Sequence, residues 1–178
     1  MGCLAHSFQP STLRVITMGT PRVGFDIGGV LIRAIEDRSD TSFFSDNYLR
    51  TPPVEGAFDA VRDIVAEIGP QNAYIISKCG EKIEAKTRNW LSWQSFDVHT
   101  KFDWEHILYC RKRPDKAPLA KELELTHFVD DRLDVLVYMD SVDHRLLYGE
   151  APQIRPHLPE GITLVESWNE IKAYILGG

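Results

Sequence analysis

Residues 23–32 read VGFDIGGVLI, an apolar run interrupted by one carboxylate and two glycines. Residues 22–27 have the non-alternating character of a strand buried on both faces, as in a parallel sheet. Asp26 stands where that strand should end, and Gly28-Gly29 follows where a second polar group might be looked for. A carboxylate closing a buried strand belongs at a sheet edge, so the fold turns on what the other strands carry at the same place.

Outward from this stretch, apolar runs and helical periodicities alternate. Residues 54–69 space Phe58, Val61, Ile64, Val65 and Ile68 as one helix face, closed by Gly69. A second strand is expected at 73–77, ending in Ser77, and a third at 106–110. Between them 81–94 reads as a helix with Ile83, Trp90 and Leu91 inward, then an irregular stretch. A short helix follows Asp115, and THFVDD (126–131) is a fourth strand, ending in paired aspartates. A helix from Arg132 to Met139, strands at 144–149 and 162–165, and a last helix capped by Ser167 complete the chain. This alternation predicts an α/β three-layer sandwich with a mainly parallel, Rossmann-like sheet.

In such sheets chemistry gathers at the carboxyl ends of strands. Asp26, Ser77 and Asp130-Asp131 all stand there, with Asp134 one helical turn further on. Clustered carboxylates repel one another unless a hard cation neutralises them, and magnesium suits oxygen ligands shared with a substrate phosphate. Ser77 offers a hydroxyl to a phosphate oxygen. Lys116, at a helix start where the dipole disfavours a cation, suggests a partner in the acid cluster.

The 178-residue chain carries a net charge of −6, which gives no indication of nucleic-acid binding. Its one dense basic strip, Arg111-Lys112-Arg113, reads as a solvated turn. The scattered Cys3, Cys79 and Cys110 form no metal or disulfide pattern, which points to a reducing cytoplasm. No apolar run reaches the roughly 18 residues of a membrane span. The start MGCLAHS has His6 where an acylation signal wants Ser or Thr. Residues 1–17 read as an extension, and 18–178 as one domain.

The ordered set resembles the haloacid dehalogenase superfamily of phosphatases and related hydrolases, over residues 22–175. The first motif, Asp-x-Asp-Gly-Thr/Val, is matched by Asp26 to Val30; the second by Ser77; the third by Lys116, with Lys112 a nearby alternative; the fourth by FVDDRLD. The resemblance implies that Asp26 is the nucleophile and a magnesium ligand, joined by the Gly28 carbonyl and Asp130. Asp131 and Asp134 would support the metal, Ser77 would hold the transferring group, and Lys116 would neutralise charge. It also implies a phosphorylated substrate. Lid domains in this family follow the first motif or the second; here only a flap with Phe43 and Phe44 fits, so no large cap is expected. Trp90, Trp93 and Trp104 read chiefly as core.

One position departs from the pattern. The family's phosphatases carry a general acid two residues after the nucleophile, and here that residue is Gly28. Substrates whose leaving group needs no proton, another donor such as a histidine or water, a metal-independent dehalogenase, and a degenerate phosphate- and metal-binding protein all accommodate this loss. The retained acids favour phosphoryl chemistry. The Asp-Ile-Gly-Gly-Thr loop of sugar kinases is also similar, but it belongs to much longer chains and its Thr is Val30 here. A response-regulator receiver places its acid pair early, where this chain places it late.

Overall fold

The computed structural model describes residues 19–33, 43–149 and 157–177. The extension expected over 1–17 and the middle of the flap lie outside the described residues. Six strands form one all-parallel sheet: β1 (Val23–Phe25), β2 (Ala73–Lys78), β3 (Ile107–Cys110), β4 (His127–Asp130), β5 (His144–Tyr148) and β6 (Ile162–Val165). Their order is β3-β2-β1-β4-β5-β6. The chain therefore builds outward from β1 on one side, then returns to β1 and builds the other way. The crevice between β1 and β4 is the switch point of the sheet, where such folds bind ligands.

Six helices accompany the strands: α1 (Ala57–Ile68), α2 (Glu81–Trp93), α3 (Phe96–Thr100), α4 (Lys116–Glu122), α5 (Leu133–Leu136) and α6 (Trp168–Leu176). Successive strand residues feed two separate cores. Phe25, Ile75 and Val129 pack with α1, α6 and Trp90 on one face, whereas Ile76 and Phe128 pack with Ala120, Val135 and Leu136 on the other. The three-layer sandwich expected from the sequence is thus present. Gly24 explains how β1 fits the second core, since a Cβ there would lie 2.5 Å from the Phe128 ring.

Helix boundaries follow local chemistry. Gly69 ends α1 and donates its N–H to Val65 O at 2.9 Å, and Ser167 Oγ accepts from Glu170 N at the start of α6. Two expectations are corrected. The helix expected over Arg132–Met139 is a single turn, because Tyr138 and Met139 donate back only three residues, to Val135 and Leu136. The stretch expected to be irregular contains α3, bounded by Ser95 (φ 54°) and Lys101 (φ 61°), residues that carry no stop signal in sequence. Among the tryptophans, Trp90 is core and donates to Thr51 O, Trp104 is partly buried against that core, and Trp93 is exposed. Among the described residues no helix is long and apolar enough to cross a membrane.

At the amino end of the sheet, buried His127 stacks on His144 at 4.4 Å, with Tyr174 edge-on to both. Burial and the neighbouring imidazole lower the His127 pKa from 6.5 to about 4, against a smaller opposing pull from Asp143. Between those values the unfolded chain binds the extra proton, so stability present near neutrality is lost as pH falls through this window. The loss by pH 4 is on the order of 3 kcal/mol. Urea unfolding between pH 7 and 4.5 should show a shallower pH slope in His127→Gln than in the parent; equal slopes would place the titration elsewhere.

Candidate active site

The site begins where β1 runs out. Asp26 N donates to Val129 O at 2.9 Å, carrying the β1–β4 ladder one residue beyond the strand. Register pairs Phe25 with Val129 and with Ile75. Asp26 therefore comes level with Asp130, and Ser77 lies one step past on the other neighbour. The chain then doubles back: Ile27 O accepts from Leu31 and Ile32 at 2.8 and 2.9 Å. The two glycines divide the work. Gly29 has φ +75°, and any Cβ on it would collide with the Asp131 carboxylate. Gly28 is exposed, outside the left-handed region, with nothing within 4 Å of where a Cβ would stand.

Lys116, the first residue of α4, is only 2% exposed. Its Nζ lies 2.8 Å from Asp26 Oδ1 and 2.7 Å from Asp130 Oδ2. Burial opposes its charge, yet the two carboxylates outweigh burial and raise its pKa above the usual lysine value. Lys112 is exposed and binds its neighbour Asp115 through the backbone, so Lys116 is the lysine at the carboxylates. Asp130, wholly buried, also accepts Arg132 N at 3.0 Å through Oδ1. Burial and repulsion from Asp26 push its pKa up to about 7, and Asp131 rises for the same two reasons.

One oxygen from each of Asp26, Asp130 and Asp131 lies within 4.8 Å of the others. Lys116 cancels one of their three formal charges, and a set of hard oxygen donors with excess negative charge suits a divalent cation. Asp134 is not brought to this group. It is exposed, and Arg132 holds both its oxygens at 3.0 Å.

A cavity of about 450 Å³ opens over these residues, lined by Asp26, Gly28, Ser77, Lys116 and Asp131. Phe43 and Phe44 of the flap border it, as the sequence leads one to expect. Sequence reasoning misses Lys78, Arg33, Arg113 and Arg132 on the same rim. Cys79 also lines the cavity, but burial raises the pKa of both Cys79 and Cys110. That disfavours the thiolates a cysteine nucleophile needs. No protein-family model matches this chain, and no curated protein matches it.

Proposed function

We propose that this protein is a magnesium-dependent phosphoryl-transfer hydrolase of the haloacid dehalogenase type, working through an aspartyl-phosphate on Asp26. The observation that carries the reading is Lys116 clamped between Asp26 and Asp130 at the switch point of a parallel sheet. A lysine so placed holds Asp26 Oδ1, and Asp26 lines the cavity. Asp26, Asp130, Asp131 and the Gly28 carbonyl are the groups that would hold magnesium. The ion would supply charge neutralisation and orientation of the phosphoryl oxygens.

Asp26 attacks phosphorus, a new P–O bond forms, and the ester P–O bond breaks with its electron pair leaving on the departing oxygen. Ser77 donates its hydroxyl to a phosphoryl oxygen, and Lys116 offsets charge on Asp26 and the transferring group. Water then attacks phosphorus, the bond to Asp26 breaks, and inorganic phosphate leaves with the water proton released to solvent. Gly28 offers no proton to the leaving group, so this reading favours aryl and acyl phosphates. The unpaired thiols Cys79 and Cys110 suit a cytoplasmic setting.

Gly28 also favours a second reading, a phosphate- and metal-binding module without turnover. Magnesium at 100 times its Kd should stabilise the protein by about 2.7 kcal/mol. Asp130→Ala should lose most of the resulting thermal shift. Turnover of an aryl phosphate with magnesium, abolished in Asp26→Asn, supports the hydrolase; a shift without turnover supports the module. Absence of any shift at millimolar magnesium removes both, and halide release from a 2-haloacid without metal would replace them with a dehalogenase.

A further inference from the structure

The cavity floor and its rim carry opposite charge. On the floor, Lys116 and a divalent ion, once bound, would together neutralise Asp26, Asp130 and Asp131. On the rim stand Arg33, Lys78, Arg113 and Arg132, brought there by four separate segments. Only Arg132 has a carboxylate partner among the described residues, Asp134. Among the described residues, a phosphoryl dianion seated on the floor would offset two of the remaining three rim cations and leave one uncompensated. These guanidinium and ammonium groups are exposed and hydrated, so they serve an incoming anion at little desolvation cost.

Among the described residues, Phe43 and Phe44 give the mouth an apolar side. Phe44 is 77% exposed, yet its backbone is fixed, since Lys86 Nζ reaches Phe44 O at 3.4 Å and Ser45 O at 2.9 Å. Phe43 sets its ring edge-on to Phe44 at 6.3 Å, and Ile32 and Ile83 extend the surface. An aromatic pair bordering a cavity mouth offers a flat apolar surface to a ligand.

We infer that the preferred substrate is an organic phosphate whose flat apolar body carries a second anionic group. The body lies against Phe43 and Phe44 while the second anion meets Lys78 and Arg113. This rests on the phosphoryl-transfer reading and names the substrate class that reading leaves open.

The test uses two aryl phosphates of matched leaving-group acidity, one bearing a para-carboxymethyl group. The corresponding pair of non-hydrolysable arylphosphonates is measured by calorimetry with magnesium present. The carboxylated member should have about tenfold higher kcat/KM and about tenfold lower Kd than its partner. The preference should collapse toward unity in Lys78→Gln/Arg113→Gln and in high salt. Phe44→Ala should weaken both arylphosphonates relative to inorganic phosphate. Turnover with equal efficiency on both esters overturns the inference and leaves the hydrolase standing. Selective phosphonate binding without turnover keeps the ligand class and overturns the hydrolase. Neither selectivity nor turnover removes both.

Discussion

Gly28→Asp should raise turnover of alkyl phosphates by about 10²- to 10⁴-fold, the range a positioned general acid contributes. The backbone permits the change, because position 28 is outside the left-handed region and its Cβ would enter open space. The new carboxyl would share the cavity with Asp26 and Asp131, whose charges favour its protonated form. A group that must donate a proton gains from such neighbours. Aryl phosphates, which depart unaided, should change little, so the dependence of rate on leaving-group pKa should flatten. Asp26→Asn should abolish turnover in both backgrounds. A parent enzyme that already cleaves alkyl esters as fast as aryl ones would show that another group donates the proton.

Lys116→Met should destabilise the protein by about 3–5 kcal/mol, the usual cost of removing one partner from a buried ionic group. Asp130 is fully buried, so its charge cannot turn to water when the ammonium is gone. The pH dependence has a definite sign. Asp130 is already shifted upward by burial and Asp26, and loss of Lys116 shifts it further. The folded variant then binds a proton that the unfolded chain has released, so its stability falls as pH rises through this window. Denaturant melts at pH 5 and pH 8 should show the larger deficit at pH 8, and Asp130→Asn should recover part of it. An unchanged midpoint at pH 8 would mean that Lys116 is not the counter-ion of these acids.

Asp26, Ser77 and Asp130 are legible in the sequence for one physical reason. A polar residue closing a buried apolar strand can only sit at the carboxyl edge, and a parallel sheet brings those edges together. Lys116 is legible because a cation at a helix start runs against the dipole. Asp134, one helical turn beyond the acid pair in sequence, stands apart from the three clustered carboxylates, because α5 lasts one turn and Arg132 holds it. Arg113 is hidden by its neighbours: three successive cations read as a solvated turn, and only the entry into α4 brings one over the cavity. The α3 turn is hidden because Ser95 and Lys101 take left-handed conformations that sequence assigns to glycine or asparagine.

The placement of β1 between β2 and β4 also sets an order of events in time. Arg22 and Thr126, 104 residues apart, hydrogen-bond where β1 meets β4. Chain closure over such a span is slow, so this pairing belongs among the late steps of folding. Asp26 and Asp130 face each other only once it is made. A ligand of these carboxylates has nothing to grip in the collapsed chain, and it prolongs the lifetime of the native state without hastening its formation.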